Sequence, residues 1–373
     1  MNKILFFDFN IPYLLADEDF PVGGATVQAQ KWIAGLSAVG TEVGVLVDGF
    51  CNYPVKSDVD FVKTFDLNKG VPFLNWIYYR YPKLNKAIKA YQPDYIYHAG
   101  AGFTSWVLAT IAKRNGIKFI YRVANDADTD DRIKQRLPNT TRFFYEQSLK
   151  ITDVILCQNQ YQFKNLKRKC PGKSITIFHN PYDFGEHLPM IKPLSKRKYI
   201  AWLGIFKSQK NLSALLNTVK RLSSIEFRIA GKSQKTLDLQ TKRALSELDK
   251  CPNVRFVGFL RRAEISNFLS KAYALLNTSY YEGFSNTFLE ALAVGTPIVC
   301  TTNVDPDAII ANHSLGKTCD THDELARTLE TLMGSKDYFE MCKKCQHYAL
   351  QSHDCRVLSK RLMEILSSAP SSQ

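Results

Sequence analysis

The chain lacks any apolar run close to the roughly 18 residues that a membrane-spanning helix needs. Its first apolar stretch begins at Ile4 and is interrupted at Asp8, too early for the hydrophobic region of a secretory signal. The nine cysteines are odd in number and scattered, so no disulfide framework is expected in a chain of 373 residues. These absences predict a protein of the reducing cytoplasm.

Acidic residues are fewer than basic residues in this chain. The chain has 35 aspartates and glutamates against 49 lysines and arginines, a net charge of +14, which indicates an anionic partner. The basic residues cluster within 164–173 and 192–198, and no RNA-binding or helix-turn-helix signature accompanies them. We therefore expect no nucleic-acid partner, which leaves a phosphorylated substrate and an anionic lipid surface.

The cysteines and histidines near the C-terminus are candidates for zinc, because a C-x-x-C pair with nearby histidines can bind this metal. The candidates are Cys342, Cys345, His347, His353 and Cys355. They fall in two predicted charged helices that lack the turn residues of a zinc knuckle. We therefore expect no metal at this place.

Short apolar stretches alternate with amphipathic segments along the whole chain, which predicts an α/β fold with parallel sheets covered on both faces. Strands are predicted at 4–9, 42–47, 95–98, 118–123, 153–157, 199–203, 227–230, 254–257, 274–277 and 298–301. The domains that follow are a Rossmann-like domain at 1–181, a proline-rich basic linker at 182–198, a second Rossmann-like domain at 199–352, and a helix with a tail at 353–373.

The central motif is residues 280–297, Y-Y-E-G-F-S-N-T-F-L-E-A-L-A-V-G-T-P, which predict a loop at 282–286 and a helix at 287–294. The amino end of a helix at the carboxyl edge of a parallel sheet offers free N–H groups to an anion. Glu282 precedes this helix and Glu290 lies inside it, which suits a nucleotide-linked sugar whose hydroxyls bind the acids. The alternative is a capping box, in which Glu290 reaches back to the Thr287 N–H and Glu282 is a solvated loop acid.

The segment E-G-F-S-N-T-F-L-E-A-L-A-V-G-T-P-I-V, with seven residues between its two glutamates, resembles the signature of the family-four glycosyltransferases. The resemblance covers nearly the whole chain and is strongest from residue 199 to about 352. It implies the GT-B architecture, with two Rossmann-like domains that face each other across a cleft and a C-terminal helix that crosses back. It also implies retaining transfer of a sugar from a nucleotide-diphosphate donor to an acceptor hydroxyl, without metal or cofactor.

The resemblance also assigns roles to residues. Glu282 would hold the donor sugar, Glu290 the ribose, and Lys210 the diphosphate. The further donor-binding positions that it implies are Gly23, Gly24, Gly204, Gly231, Gly258, Phe259, Gly283, Phe284, Ser285, Asn286 and Thr287.

Two departures from the family pattern affect the predicted site. Ile205 stands where the family has an arginine, and we predict that Lys207 partly replaces this arginine as a catalytic cation. Asn125 and Asp126 stand where many members carry a His-Asp pair. Together with His98, they are the candidates for contact with the acceptor or the sugar.

The acids Asp126, Asp128, Asp130 and Asp131 also have D-x-D spacings, which hold a divalent metal in the other glycosyltransferase architecture. The second part of that architecture is not apparent, and acidic loops are usually solvated. We favour solvated acids here.

Residues 73–81, F-L-N-W-I-Y-Y-R-Y, are followed by Lys83, Lys86 and Lys89. This mixture suits a helix at the surface of an anionic membrane, and a core helix with a solvated basic face is the alternative. The predicted partners are thus a nucleotide-sugar donor, a hydroxyl acceptor and the inner face of a membrane. Lipid-linked molecules are among the candidate acceptors. The alternative functions are a sugar-nucleotide epimerase or phosphorylase, and a binding protein without catalysis.

Overall fold

The computed structural model describes residues 2–16, 23–50, 59–70 and 74–368. The chain divides into two compact units: the first unit is residues 1–183 with 355–373, and the second unit is residues 184–354. Phe73, which opens the aromatic segment, and the tail 369–373 lie outside the described residues. Most of the segment expected as a linker, from 184 to 198, belongs to the second unit, where Arg197 is buried and donates to the Ala272 and Gly295 carbonyl oxygens.

The first unit is built on a seven-stranded sheet in which every strand is parallel to its neighbours. The strands are β1 (Lys3–Phe7), β2 (Glu42–Val47), β3 (Asp60–Lys63), β4 (Tyr95–Ala99), β5 (Lys118–Arg122), β6 (Val154–Cys157) and β7 (Ser174–Ile177), in the order β3-β2-β1-β4-β5-β6-β7. Its helices are α1 (Ile11–Leu15), α2 (Gly24–Ala38), α3 (Tyr81–Tyr91), α4 (Phe103–Arg114), α5 (Ile133–Arg136), α6 (Asn139–Ile151) and α7 (Gln160–Lys169). The apolar side chains of the central strands fill a core on each face of the sheet.

The second unit repeats this plan with six parallel strands. They are β8 (Tyr199–Leu203), β9 (Phe227–Ala230), β10 (Val254–Gly258), β11 (Ala272–Leu276), β12 (Ile298–Thr301) and β13 (Gly316–Cys319), in the order β10-β9-β8-β11-β12-β13. The helices are α8 (Leu212–Arg221), α9 (Leu239–Leu248), α10 (Arg262–Ser270), α11 (Asn286–Ala293), α12 (Ile309–Asn312), α13 (Leu325–Met333) and α14 (Tyr338–His353). The predicted pair of Rossmann-like folds is confirmed.

The last helix, α15 (Cys355–Ser368), belongs to the first unit, so the expected return of the chain is confirmed. Where the chain returns, the Cys355 N–H donates to the Tyr182 carbonyl oxygen at 2.9 Å. Leucines of α15 enter the core that lies against α2. Gly35 of α2 permits this approach, because a Cβ at that position would lie 2.6 Å from Ser359 Oγ and closer still to the Cys355 carbonyl oxygen.

Three strands, β3, β7 and β13, and one unusual helix were not expected from the sequence. The edge strands β3 and β13 carry too few apolar residues to form a visible run. The aromatic segment forms a π-helix, Asn75–Arg80, that continues into α3. Within the parts of the chain that the structure describes, no helix is long and apolar enough to cross a membrane.

Candidate functional site

The carboxyl edge of the second sheet is where the predicted donor-binding residues of the second unit lie. After β11 the chain forms the loop that contains Glu282, and α11 then begins at Asn286 with Ser285 at its N-cap. Glu290 is therefore the fifth residue of the helix, whereas the acid of a capping box is the third. The capping-box alternative is thus wrong, because the helix begins earlier than its sequence suggests.

Glu282 and Lys210 form an ion pair at this edge, although 72 residues separate them in sequence. Lys210 Nζ lies 2.5 Å from Glu282 Oε1, and the side chains are only 14% and 12% exposed. The same carboxylate oxygen accepts a hydrogen bond from Ser279 Oγ at 2.8 Å. The pair therefore places a cation and an anion together beside the amino end of α11.

Lys210 is also fixed through its main chain. Thr278 Oγ1 donates to the Lys210 carbonyl oxygen at 2.7 Å, and Trp202 Nε1 donates to Thr278 Oγ1 at 3.1 Å. Trp202 and Thr278 are both buried. The next residue, Asn211, has a φ of +47° and caps α8 by accepting from the Ala214 N–H. These contacts fix the backbone from which the Lys210 side chain extends to Glu282.

Glu290 has a cationic neighbour of its own. Arg262 Nη1, at the start of α10, lies 3.4 Å from Glu290 Oε1, and the glutamate side chain is 14% exposed. This places a carboxylate beside a cation, one turn below the amino end of α11. A carboxylate in such a place can accept hydrogen bonds from the two hydroxyls of a ribose.

The loops that follow β8 and β9 cross in direct contact. Gly231 has a φ of +151°, and a Cβ there would overlap the Gly204 carbonyl oxygen. Its N–H donates to the Gly258 carbonyl oxygen at 2.8 Å, while the Phe259 side chain beyond remains 47% exposed. The three glycine turns therefore bring bare backbone to one place on the sheet edge.

The predicted substitute for the missing arginine lies in the loop after β8. Ile205 is 41% exposed and offers only backbone groups to a ligand. Lys207 is half-buried, and its carbonyl oxygen accepts from the Lys210 N–H at 2.9 Å. A catalytic role for Lys207 stays a prediction.

The other predicted donor-binding residues surround the start of α11. Ser285 Oγ and Thr287 Oγ1 lie 2.8 Å apart and share a hydrogen bond. Phe284 is buried against Phe288 and His353, so its side chain supports the loop from below. Gly283 is buried as well, whereas Asn286 is half-exposed.

In the first unit, the predicted glycine pair precedes a helix. Gly23 is the N-cap of α2 and Gly24 is its first residue, and both are exposed. Below them, Thr26 Oγ1 donates to Asp8 Oδ2 at 2.5 Å, which ties the start of α2 to the end of β1. The amino end of α2 thus lies at the carboxyl edge of the first sheet.

His98 lies near the carboxyl end of β4, and Asn125 and Asp126 follow the neighbouring strand β5. His98 Nδ1 lies 3.1 Å from the Phe7 carbonyl oxygen, and burial lowers the pKa of this histidine. Asn125 Oδ1 accepts from the Ala127 N–H and so caps a short 3₁₀ turn. Asp126 accepts from Asn159 and Gln162, and burial raises its pKa.

The acids after Asp126 are engaged within the protein. Asp128 is buried and pairs with Arg136, Asp130 binds Arg132 and Tyr161, and Asp131 pairs with Lys134. The expectation of a solvated acidic loop is therefore wrong for Asp128 and Asp130, whose cationic partners follow in α5 and just before it. Over the described ranges, no three histidine, cysteine or acidic side chains are grouped so that they could hold a metal ion.

The C-terminal cysteines serve packing instead. Cys342 Sγ accepts from Arg197, and Cys345 donates to the Leu315 carbonyl oxygen. Burial raises the pKa of both thiols, so they are protonated at neutral pH.

Sequence reasoning missed Ser279, Thr278 and Arg262. The first two follow β11, at the strand end where ligand-binding residues are common, so their position was an available signal. Arg262 had no such signal, because only the packing of α10 on α11 brings it to Glu290.

Two family models match adjoining parts of the chain. The model described as Glycosyltransferase Family 4 matches residues 22–186, and the one described as Glycosyl transferases group 1 matches residues 186–352. Together they span both sets of residues described above.

A curated protein is similar to part of the chain. The chain is 24% identical to alpha-monoglucosyldiacylglycerol synthase of Streptococcus pneumoniae over 221 residues, which are 54% of this chain and 50% of that protein. The chain spans at most half the length of the curated relatives it matches.

Sucrose-phosphate synthase of Thermosynechococcus elongatus has a TM-score of 0.78 at 14% identity over 98% of both chains. HepE of Anabaena, in complex with UDP and glucose, has a TM-score of 0.75 at 16% identity over 99% of this chain and all of that one. At these identities the structural likeness shows the fold alone.

Proposed function

Because the chain belongs to the group 1 glycosyltransferases of GT-B fold, we propose that it transfers a sugar from a nucleotide-diphosphate donor to an acceptor hydroxyl. The proposal includes retention of the anomeric configuration, as in the family that its signature resembles. UDP is the first nucleotide to test, since one protein of the same fold was solved with UDP and glucose.

The Lys210–Glu282 ion pair is the observation that carries this proposal. In the transfer, the bond between the anomeric carbon and the diphosphate oxygen breaks, and its electron pair leaves with the diphosphate. The acceptor oxygen forms the new bond to the anomeric carbon, and its proton passes to the departing diphosphate oxygen. Lys210 and the positive end of the α11 dipole supply positive charge where the diphosphate becomes more negative, and Glu282 accepts hydrogen bonds from the sugar hydroxyls.

Two alternatives share these residues: a sugar-nucleotide epimerase or phosphorylase, and a binding protein without catalysis. A thermal-shift screen of UDP, GDP and ADP identifies the base, since a ligand at 100 times its Kd stabilises by about 2.7 kcal/mol. Donor sugars on that nucleotide are then incubated with and without sugar and lipid acceptors. Acceptor-dependent release of the nucleotide supports transfer, release without acceptor supports the first alternative, and binding without release supports the second.

Retention has a separate test. The anomeric configuration of the product linkage is measured by NMR and compared with that of the donor. An inverted linkage would overturn the retaining assignment and leave the transferase assignment in place.

We further propose that the acceptor is lipid-linked and that the enzyme acts at an anionic membrane surface. One protein similar to this chain is an alpha-monoglucosyldiacylglycerol synthase. The π-helix of the first unit exposes two large apolar side chains, Ile77 and Tyr78. Lys83, Lys86 and Lys89 are exposed on the helix that continues from it. Exposed apolar residues beside a row of lysines suit the interface of anionic lipid.

A further inference from the structure

The cations already described at the edge of the second sheet are paired with acids. Lys210 contacts Glu282, and Arg262 contacts Glu290. These acids are the groups that the proposed function gives to the donor sugar and the ribose. The diphosphate between them carries most of the donor's negative charge, and an additional cation would therefore stabilise it.

Lys232 lies beside this place. It follows Gly231, and its carbonyl oxygen accepts from the Phe206 N–H at 2.9 Å. Phe206 also pairs with Ser233 in a parallel bridge. The main chain of Lys232 is therefore fixed next to Ile205, the exposed residue that offers no charge of its own.

The side chain of Lys232 is exposed and contacts an aromatic ring. Its Nζ lies 5.5 Å from the ring centroid of Phe259, a side chain that is itself 47% exposed. Among the described residues, no carboxylate pairs with Lys232. A cation–π contact at an exposed site is weak compared with a charge-assisted hydrogen bond to phosphate.

We propose that Lys232 is a further diphosphate-binding residue. Its ammonium group moves away from the Phe259 ring and contacts the phosphate nearest the nucleoside. This assignment rests on the proposed function. The loops after β8 and β9 are adjacent because β8 and β9 are neighbours, so a phosphate over the Gly204–Gly231 contact is within the range of a lysine side chain. The positive charge that Ile205 lacks then comes from the neighbouring loop.

The test compares Lys232→Met with Lys232→Arg and with a control, Lys242→Met, at an exposed lysine of α9. Methionine keeps most of the alkyl chain and removes the charge. The probes are UDP, UMP and uridine, or the same three forms of guanosine or adenosine if thermal shift selects that base. Affinities for the two nucleotides are measured by calorimetry, and that for the nucleoside by ligand-observed NMR.

Lys232→Met is expected to lower the affinities for UDP and UMP by about tenfold each and to leave the affinity for uridine unchanged. Lys232→Arg should recover part of the lost affinity, and Lys242→Met should show no change. Unchanged nucleotide affinity in Lys232→Met would overturn the assignment. An equal loss of affinity for uridine would also overturn it, because it would show that Lys232 contacts the base or the ribose. If the wild-type protein binds none of UDP, GDP and ADP, the proposed function and this assignment fail together. If the wild-type protein binds a nucleotide and Lys232→Met binds it equally well, only the assignment of Lys232 fails. The two failures are therefore distinguishable.

Discussion

At the scale of single residues, Glu282 has two partners within the protein and a third in the proposed donor sugar. Because Lys210 and Ser279 both bind its Oε1 atom, the other carboxylate oxygen is the one available for the sugar. Glu282→Gln keeps an oxygen for both partners and removes the charge. We expect turnover to fall by about 100-fold while nucleotide affinity changes little, since the sugar contact strengthens in the transition state.

Steady-state kinetics and UDP calorimetry on Glu282→Gln check this, with Glu330→Gln, an exposed glutamate of α13, as the control. Full activity in Glu282→Gln would show that this glutamate only positions Lys210.

Glu290 allows a separate prediction about binding. Since it lies in the second turn of α11 and is not a capping-box acid, Glu290→Ala is expected to cost less than the ~1 kcal/mol typical of a lost cap. Loss of the ribose contact should nevertheless weaken nucleotide binding by about tenfold or more. Urea denaturation and calorimetry measure the two effects, and a large loss of stability without a loss of affinity would contradict the ribose assignment.

We predict that the lysines of the loop after β8 supply the positive charge that is missing at Ile205. Lys207→Ala and Lys210→Ala are each expected to lower turnover by at least about tenfold, or 1.4 kcal/mol of transition-state stabilisation. Lys220→Ala, an exposed lysine of α8, is the control. Normal turnover in Lys207→Ala beside a strong loss in Lys210→Ala would leave Lys210 and the backbone amides as the diphosphate site of this loop.

At the scale of elements, the crossing of α15 over α2 depends on the absence of one side chain. Replacing a mid-helix glycine by alanine usually stabilises a helix by about 0.5–1 kcal/mol. Gly35→Ala is expected to do the opposite and destabilise the first unit by about 1–3 kcal/mol, because the new methyl group would meet the backbone of α15. Urea denaturation checks the sign.

Gly172→Ala serves as the control, since a Cβ there meets nothing within 4 Å. A Gly35→Ala protein that is as stable as the wild type would mean that α15 shifts without cost.

Most elements could be predicted because their apolar periodicity is strong. β2, β8, β9 and β12 have the predicted bounds, and their burial follows from their runs of apolar residues. By contrast, β3 and β13 depend on pairing with a buried neighbour, which local sequence does not reveal. The start of α11 was placed one residue too late, because Asn286 has loop propensity although the fold includes it in the helix.

The candidate site residues could be selected from the sequence, and their roles stay predictions, whereas their contacts could be predicted only in part. The signature and the strand ends located Glu282, Glu290 and Lys210. The pairing of Lys210 with Glu282 and of Arg262 with Glu290 arises from the order of the strands and the packing of helices, which bring distant segments together. Such tertiary contacts have no local pattern in the sequence.

At the scale of the whole molecule, the net charge of +14 predicts salt-dependent attraction to anionic lipid. The protein should sediment with phosphatidylglycerol vesicles at low salt, and binding should fall as salt rises, because charges are screened over about 8 Å at 0.15 M. An Ile77→Ser, Tyr78→Ser double variant should bind less, since it loses the exposed apolar side chains of the π-helix.

Leu239→Ser is the matched control, because Leu239 is 71% exposed in the second unit. If the wild-type protein ignores these vesicles at low salt, the membrane proposal fails and a water-soluble acceptor is favoured.

The return of the chain into the first unit has a consequence for biosynthesis. Leu358, Leu362 and Leu366 complete a core whose other members are encoded before residue 184, and the whole second unit is translated between them. At about 5–20 residues per second, a ribosome needs on the order of 10–30 s for those roughly 170 residues. For that time the apolar face of α2 lacks the leucines of α15, so we expect the nascent first unit to expose apolar surface until α15 has been synthesised.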